Sequence, residues 1–365
     1  MYLRAQKVAY MTPKFHSLKV ADVRQETEDT VSIAFEVPTD LVEDYRYMPG
    51  QYLTLRKDFN GEDTRRSYSL CSAPFENSWR VAVKQVKDGL FSGFANKELK
   101  IGDSIDVMTP TGHFCLTTNA ENSNSYVFFA AGSGVTPVMA MMKTILNDEP
   151  NSDITFFYGN KGFASIIFRE EIEALKNEYL DRIRVIHILS RESLGNKIQK
   201  GRIDHSKCDA LYDAFLKHSE VTGVYVCGPE QMIFAVKESM MAKGIDEKYI
   251  HYELFTTPGS KSEVVEVYEG PNVHANVTVI IDGDEIDIAL DSEGDNILDA
   301  AQKAGGDLPF ACKGGVCCTC KARILEGEAR MTVNYALEPD EVEAGYILTC
   351  QAHPVSEKLV VSFDD

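Results

Sequence analysis

The sequence of 365 residues lacks any apolar run approaching the ~20 residues that a membrane-spanning helix needs. Its apolar segments, such as residues 126–131, have the length of a strand instead. We therefore expect no membrane-spanning helix. The first ten residues, MYLRAQKVAY, contain no apolar core followed by a small-residue cleavage site. This predicts a cytoplasmic protein whose thiols are reduced.

Basic residues are also scarce, with 37 Lys and Arg against 56 Asp and Glu and a net charge of −19. Nucleic-acid binding requires a positively charged surface, so this balance argues against a nucleic-acid partner. Hydrophobic residues make up 44% and charged residues 25% of the chain, which is typical of a folded protein rather than a disordered one. The length is enough for two or three domains.

The acidic charge is concentrated at the C-terminal end. Residues 275–365 contain 18 Asp and Glu against 6 Lys and Arg, and five of the nine cysteines lie in the last 54 residues. Residues 256–274, rich in Pro, Gly and Ser, have the composition of a linker. The sequence therefore predicts an N-terminal extension (1–14), two domains (15–120 and 121–255), a linker (256–274) and a compact acidic module (275–365).

Three patterns of residues indicate three kinds of fold. Residues 15–118 contain short alternating runs separated by turn residues, which predicts an antiparallel β-barrel. From residue 126 onward, buried strands alternate with helical stretches, which predicts a Rossmann-like α/β domain with a parallel sheet. The last module opens with a hairpin at Asp282–Gly283, followed by a helix with Asp295 as N-cap and Gly305 beyond its end. We expect an α+β fold of the β-grasp type there.

Four cysteines of the last module have the spacing C-x4-C-x2-C followed by a distant C, which is the spacing of plant-type 2Fe–2S ferredoxins. Structural zinc usually takes two paired C-x2-C units, and reduced thiols disfavour disulfides, so the spacing favours an iron–sulfur cluster. Cys318 exceeds the four thiolates needed and is interpreted as a spectator rather than an alternative ligand. The predicted ligands are Cys312, Cys317, Cys320 and Cys350.

A glycine-rich turn follows the first strand of the α/β domain. Gly132 and Gly134 permit a sharp turn and a close backbone approach, while Thr136 is a candidate cap and Pro137 suits the start of a helix. Such a turn presents a helix N-terminus to a pyrophosphate. The sequence therefore predicts a nicotinamide-nucleotide site.

The ends of later strands bear on which nucleotide binds. The second strand ends without the carboxylate that usually holds a ribose 2′-hydroxyl, and the third ends at Ser190 and Arg191, which suit a 2′-phosphate. NADPH is therefore favoured over NADH, which stays possible, and Lys161 is equally well explained as a surface charge. Another strand ends at Cys227, Gly228 and Pro229, where Cys227 is either a buried small residue or a neighbour of the nicotinamide.

Two further motifs lie in the predicted barrel: R-x-Y-S at Arg66–Ser67–Tyr68–Ser69 and G-x-x-S ending at Ser92. With these motifs the chain resembles flavoproteins of the ferredoxin-NADP reductase type that carry a plant-type ferredoxin at the C-terminus. It is similar, more narrowly, to the reductase subunits of the phenylacetyl-CoA epoxidase family. The segments behind that narrower resemblance are RRSYSL, PTGHF, AAGSGVTP, GRID, CGPEQM, ACKGGVCCTCKARILEG, NYALEPDE and GYILTCQ.

The resemblance implies roles for individual residues. Arg66 would contact the FAD pyrophosphate, Tyr68 the flavin and ribityl chain, and Ser92 an FAD phosphate, with Ser67 completing the motif. Ser69 would lie near flavin N5, Glu253 near the nicotinamide and Phe255 against the flavin. The implied catalytic residues are Ser69, Cys227 and Glu253. The implied cofactor contacts further include Gly132, Gly134, Thr136, Ser190, Arg191, Gly228 and Pro229.

The resemblance also implies an activity. Electrons would pass from NADPH to FAD, then to the 2Fe–2S cluster, and finally to the di-iron oxygenase component of a phenylacetyl-CoA 1,2-epoxidase complex that docks on the acidic ferredoxin domain. One alternative is a reductase of another multicomponent oxygenase, such as an aromatic-ring hydroxylase. A second is a zinc-stabilised nucleotide-binding regulator without redox turnover.

Overall fold

The structure is a computed structural model that describes residues 13–255 and 270–364. These residues form two compact units, one built on residues 15–255 and the other on residues 270–364 together with residues 13–14. Residues 1–12 of the predicted extension and residues 256–269 of the predicted linker lie outside the described residues. The predicted domain boundaries stay predictions.

The first part of the larger unit is a six-stranded antiparallel sheet with one helix. Its elements are β1 (Phe15–Thr27), β2 (Thr30–Glu36), β3 (Tyr52–Phe59), β4 (Glu62–Ser69), β5 (Trp79–Lys84), α1 (Leu90–Lys97) and β6 (Ser104–Met108). The strand order is β4-β3-β6-β1-β2-β5. Leu70, directly after β4, forms a β-bridge with Val81 in β5, so the two outer strands meet and the sheet closes. The predicted antiparallel barrel is confirmed.

Local sequence explains the hairpin that carries β4. Asn60 and Gly61 join β3 to β4, and both have positive φ (57° and 89°), as a two-residue type I′ turn requires. The turn fixes the register, which pairs Thr54 with Ser67 and Tyr52 with Ser69. The position of every residue of the R-x-Y-S motif on β4 therefore follows from a two-residue turn.

The second part of the larger unit is a five-stranded parallel sheet covered by helices. Its elements are β7 (Ser125–Ala131), α2 (Val135–Asp148), β8 (Asp153–Asn160), α3 (Arg169–Glu178), β9 (Ile183–Leu189), α4 (His205–Leu211), β10 (Val221–Gly228), α5 (Glu230–Ala242) and β11 (Ile250–Leu254). The order β11-β10-β7-β8-β9 confirms the predicted parallel sheet. Helix α4, which continues as a π-helical turn at Tyr212–Leu216, was not predicted.

The barrel and the parallel sheet share one apolar core. Cys71 and Ala82 from the barrel pack in the same cluster of buried side chains as Phe128, Met139 and Met142 from β7 and α2. Burial of apolar surface is the main driving force for such packing. The two parts of the larger unit are thus held together by a continuous core.

The order of strand addition in the parallel sheet reverses between β7 and β10. The chain adds β8 and β9 on one side of β7 and then returns to place β10 on the other side. Gly134 packs directly on the end of β10: a Cβ added there would lie 2.1 Å from the carbonyl oxygen of Cys227. No side chain fits in that space. Gly134 is therefore required by a close backbone approach.

The smaller unit has the predicted α+β fold, which is built around a five-stranded mixed sheet. Its elements are β12 (His274–Ile281), β13 (Asp284–Asp291), α6 (Ile297–Lys303), β14 (Lys321–Glu326), β15 (Ala329–Met331), α7 (Pro339–Glu343), β16 (Tyr346–Leu348), β17 (Ala352–Pro354) and β18 (Lys358–Ser362). The order is β13-β12-β18-β14-β16, in which the central pair β12 and β18 is parallel. Strands β15 and β17 form a separate pair.

The ends of this unit's first hairpin and helix follow local sequence with one correction. Asp282 and Gly283 both have positive φ and form the predicted turn, and Gly305 lies beyond the end of α6 with φ of 98°. The predicted N-cap Asp295 was wrong. Asn296 caps α6 by accepting from the N–H of Asp299, whereas the Asp295 carboxylate pairs with Lys303.

The close approach at Gly134 predicts a large effect of one methyl group. Gly134→Ala is expected to lower the midpoint of thermal unfolding of the larger unit by about 5–10 °C, since overpacking of this kind costs about 2–3 kcal/mol. Gly93→Ala in α1 is the matched control, because a Cβ at Gly93 meets nothing within 4 Å. Calorimetry of both variants checks this. An equal midpoint in both would contradict the steric argument.

Candidate functional site

A cavity of about 830 Å³ lies in the larger unit at the carboxyl ends of the parallel strands. Residues at or just past the ends of β7, β8, β9 and β10 line it, together with Lys84 from barrel strand β5. Ligands of open parallel sheets bind at this edge, where the strand order reverses. The predicted cofactor residues that line it are Gly132, Gly134, Ser190, Arg191, Gly228, Pro229 and Phe255.

The glycine turn forms one wall of the cavity. Gly132–Gly134 is a 3₁₀ turn that runs directly into α2, and Gly132 has a φ of 54°, which favours glycine. The Tyr158 hydroxyl on β8 donates to the carbonyl oxygen of Gly132 at 3.0 Å and holds the turn in place. The helix N-terminus at Val135 therefore meets the cavity, as a pyrophosphate site requires.

Thr136 does not cap α2. The N-cap is Gly134, and the Thr136 hydroxyl donates to the carbonyl oxygen of Ser133 at 3.0 Å. The reason is that the preceding turn is already helical, which leaves no extended residue whose side chain could cap. Among the described residues, Thr136 is also outside the lining of the cavity. Its predicted contact with the cofactor stays a prediction.

Positive side chains line the cavity away from the glycine turn. Lys161, Arg191 and Arg202 lie there with Ser190, and the backbone N–H of Arg191 donates to the carbonyl oxygen of Lys161 at 2.8 Å. Asp204 also lines this wall, where its carboxylate caps α4 by accepting from the N–H of Lys207. Clustered guanidinium and ammonium groups suit phosphate oxygens.

Sequence reasoning missed two of these cations and left a third open. Lys161, equally well explained as a surface charge, lines the cavity. Arg202 and Lys84 were not proposed as site residues. Arg202 follows Gly201 just before a helix, a local signal that could have identified it. Lys84 belongs to a barrel strand, so only the tertiary structure brings it to the parallel sheet.

A second group of predicted residues meets at the junction of the barrel with the parallel sheet. The Ser69 hydroxyl at the end of β4 donates to the Glu253 carboxylate on β11 at 3.2 Å. Cys227 pairs with Glu253 in the register of β10 and β11 and is completely buried. Burial, with a smaller contribution from Glu253, raises the pKa of the Cys227 thiol well above its ordinary value. The structure thus brings together the three predicted catalytic residues.

The R-x-Y-S strand offers distinct surfaces on its two faces. Arg66 and Tyr68 lie two residues apart on β4 and share one face, with Arg66 exposed and Tyr68 half-buried. The Tyr68 ring packs 5.7 Å from the ring of Phe91, and burial raises its pKa. An exposed guanidinium beside an aromatic side chain fits the diphosphate and ring system of FAD. On the other face, Ser67 Oγ lies 3.1 Å from Thr54 Oγ1.

Ser92 supports the turn that precedes α1. Its hydroxyl oxygen accepts from the N–H of Val86 at 3.1 Å, and the hydroxyl donates to the carbonyl oxygen of Gly89 at 3.3 Å. The side chain is buried. Its predicted contact with an FAD phosphate stays a prediction.

The four predicted cluster ligands form one connected group of sulfur atoms in the smaller unit. The Cys317 thiol donates to Cys312 Sγ at 3.1 Å, and Cys350 hydrogen-bonds to both Cys312 and Cys320. The N–H of Gly314 also points at Cys312 Sγ, at 3.3 Å. Four convergent sulfurs, one of which has a backbone N–H group directed at it, fit a 2Fe–2S cluster.

The electrostatics of this loop favour the thiolate at Cys312, whereas hydrogen bonding to Cys312 and burial raise the pKa of Cys317 and Cys350. Hydrogen bonds from Cys317 and Cys350 lower the pKa of Cys312 well below its ordinary value, with further contributions from the N–H groups of Gly314 and Val316. Gly315 has a φ of 72°, in the left-handed region that glycine adopts without steric strain. Cys318 is half-buried between two ligands.

Comparisons with known proteins agree with this geometry. Three family descriptions match the chain: the oxidoreductase FAD-binding domain at residues 17–115, the oxidoreductase NAD-binding domain at residues 128–238 and the 2Fe-2S iron-sulfur cluster binding domain at residues 279–355. One of the subunits of 1,2-phenylacetyl-CoA epoxidase from Escherichia coli is 42% identical over 96% of this chain and 98% of its own length.

The chain belongs to this family of iron–sulfur flavoprotein reductases. Another relative, the ferredoxin reductase component of 3-ketosteroid-9-alpha-monooxygenase from Rhodococcus rhodochrous, is 33% identical over 95% of this chain and 96% of its own. The structure of phthalate dioxygenase reductase shares the fold, with a TM-score of 0.57 at 22% identity over 95% of this chain and 98% of that one.

Family membership confirms the predicted chemistry. The protein is an NAD(P)H-dependent oxidoreductase that uses FAD, a 2Fe–2S cluster and a nicotinamide nucleotide, and electrons pass from NAD(P)H through FAD to the cluster. Within residues 13–255 and 270–364, no helix has the length and apolar character needed to cross a membrane.

The ligand assignment predicts opposite outcomes for two neighbouring cysteines. Cys317→Ser is expected to lose the visible absorption of the cluster and NADPH-dependent reduction of cytochrome c, while NADPH-dependent reduction of ferricyanide continues at the flavin. Cys318→Ser should keep all three. Iron analysis and spectra of both purified variants check this. Loss of iron from Cys318→Ser alone would make Cys318 a ligand in place of Cys317.

Proposed function

We propose that this protein is the reductase component of a phenylacetyl-CoA epoxidase, passing electrons from NADPH to its di-iron oxygenase. The observation that supports this most is the 42% identity to the E. coli epoxidase component, which extends over 98% of that relative's length. A match over all three domains includes the surfaces that a partner would contact.

The residues of the larger unit have a division of labour in this proposal. Gly132 and Gly134 admit the nucleotide pyrophosphate, and Ser69 with Glu253 connects the flavin strand to the nucleotide sheet beside buried Cys227. When bound, FAD accepts a hydride from the nucleotide and delivers electrons one at a time to the cluster. The protein's own part is to position these groups and to exclude water.

The preference for NADPH is supported by the charges around the cavity. Lys161, Arg191 and Arg202 concentrate positive charge beside Ser190, where a 2′-phosphate would add negative charge. The nearby carboxylate of Asp204 is engaged as the cap of α4. The wall therefore favours a ligand with an additional phosphate.

Docking of the oxygenase on the acidic smaller unit is supported by the ion pairs within that unit. Four of its few basic residues are held in ion pairs with acidic neighbours, so they do little to offset the excess of carboxylates elsewhere. A surface of one sign steers an oppositely charged partner. The paired bases are Lys303, Lys313, Lys321 and Lys358.

A second candidate is the reductase of a different multicomponent oxygenase. The 33% identity to the 3-ketosteroid-9-alpha-monooxygenase component, over 96% of its length, favours this alternative to a lesser degree. The same domains serve both oxygenases, so the fold does not decide between them.

Reconstitution tests the partner. Mixed with the remaining subunits of the E. coli epoxidase, phenylacetyl-CoA, oxygen and NADPH, the protein is expected to support consumption of phenylacetyl-CoA. It should fail with the oxygenase of 3-ketosteroid-9-alpha-monooxygenase. Turnover should fall as salt rises, because docking between charged surfaces is screened. Equal support of both oxygenases, or of the steroid enzyme only, would contradict the assignment.

The nucleotide preference predicts a selective effect of Arg191. Arg191→Ala is expected to raise the KM for NADPH about tenfold to a hundredfold, the equivalent of one lost charged hydrogen-bonding group, and to change the KM for NADH less than about twofold. Arg184→Ala is the matched control, since Arg184 is exposed toward the opposite end of strand β9. Steady-state kinetics with both nucleotides check this. An equal rise for NADH would show that Arg191 does not bind the 2′-phosphate.

A further inference from the structure

One buried lysine connects the nucleotide helix to the barrel. Lys143 lies on α2 with its side chain only 9% exposed, and its Nζ lies 3.2 Å from Glu76 Oε2 and 3.3 Å from Glu76 Oε1. The same ammonium group contacts the carboxylate of Glu171 on α3. Glu76 belongs to the barrel part of the chain, whereas Lys143 and Glu171 belong to the parallel-sheet part. The ammonium therefore joins the two.

Glu76 lies in the segment that directly continues the R-x-Y-S strand. It follows Ser69 by seven positions and ends a short 3₁₀ turn, Pro74–Glu76. Its carboxylate also accepts from the N–H of Ala73, so the side chain is fixed to the turn. A force on Glu76 is therefore transmitted to the end of β4, where Ser69 contacts Glu253.

Lys143 lies equally close, in covalent terms, to the nucleotide site. Helix α2 begins at Val135 beside the glycine turn, and Lys143 follows eight residues later, about 12 Å along the helix. A helix transmits position as a rigid rod over this distance. The ammonium group thus links the element that presents the pyrophosphate site to the segment that follows the flavin motif.

The pair is better explained by geometry than by stability. Replacing a buried ion pair with apolar side chains is often neutral for stability, because desolvation offsets the attraction. The apolar core that contains Cys71 and Met142 already joins the two parts. An ammonium group between two carboxylates adds a directional constraint, because it fixes one lateral position of the barrel segment against α2.

We propose that Lys143 is a positioning residue for hydride transfer, which sets the flavin strand against the nucleotide-binding helix. Transfer from nicotinamide to flavin depends on sub-ångström placement, and a displacement of about 1 Å can cost a hundredfold in rate. The inference rests on the proposed placement of FAD beside Arg66–Ser69. It does not depend on the oxygenase partner.

The test measures reduction of FAD by NADPH in the intact protein by stopped flow. Lys143→Met retains most of the unbranched side chain without its charge, and we expect flavin reduction at saturating NADPH to slow about tenfold or more, with the KM within about threefold of the native value. Lys176→Met is the matched control, because Lys176 and its partner Glu173 both lie on α3 and their ion pair does not reach the barrel. It should reduce at the native rate.

Two carboxylate variants separate position from charge. Glu76→Gln breaks the contact between the two parts and should reproduce the slow reduction, whereas Glu171→Gln breaks a contact within one part and should not. Lys143→Arg, which can still reach both carboxylates, should recover most of the rate. Equal effects of Glu76→Gln and Glu171→Gln would overturn the proposal.

Hydrogen exchange gives a readout that does not depend on turnover. In Lys143→Met, amides of the barrel segment that follows β4, including those of Glu76 and Asn77, should exchange about tenfold faster, while amides of β8 stay unchanged. Uniform acceleration throughout the larger unit, or native exchange with native kinetics, would overturn the proposal. A separate variant tests the placement of FAD: normal flavin content in Arg66→Ala would contradict that placement. This inference, which rests on it, would then fail as well.

Discussion

The constraint on which the larger unit depends is the close contact between the turn after β7 and the end of β10. At Gly134 there is no room for a Cβ, and at Gly228 an added Cβ would lie 3.2 Å from the backbone nitrogen of Ala131. These two glycines let the first and fourth parallel strands lie side by side with their loops diverging above. The nucleotide cavity exists because the loops diverge there. Larger residues would separate the strands or fill the site.

The barrel contributes residues to the site that the parallel sheet forms. Lys84 and Phe255 reach the cavity from a barrel strand and from the residue after β11, and Ser69 meets Glu253 where the sheet borders the barrel. A hydride moves only over a short distance, so the two binding regions must keep a fixed relation. The shared apolar core supplies the cohesion, and the polar contacts made by Ser69 and Lys143 supply direction.

The smaller unit solves a different physical problem. Its loop brings four sulfurs together and points N–H groups at Cys312, which stabilises negative charge in a largely buried place. The same unit carries a large excess of carboxylates on its outside. Electrons can be transferred over a longer distance than a hydride. This unit therefore requires a site that binds the cluster firmly and a surface that a partner protein recognises. The acidic composition and the paired lysines meet the second requirement.

The sequence by itself determined the elements whose cause is local. The Asn60–Gly61 and Asp282–Gly283 turns, the alternation of strands and helices, and the C-x4-C-x2-C spacing each reflect conformational or chemical preferences of neighbouring residues. These preferences led to the barrel, the parallel sheet and the cluster loop. They failed where a cap depended on the exact start of a helix, at Thr136 and Asp295.

Only the tertiary structure decided which distant residues share a site. Lys84 and Lys161, 77 positions apart, line one cavity, and Ser69 contacts Glu253 across 184 positions. Lys143 lies on α2, a helix whose residues are almost all buried, and no sequence pattern places near it the two carboxylates that it contacts. The reason is physical: local preferences act over a few residues, whereas burial and charge pairing depend on which surfaces the completed fold brings together.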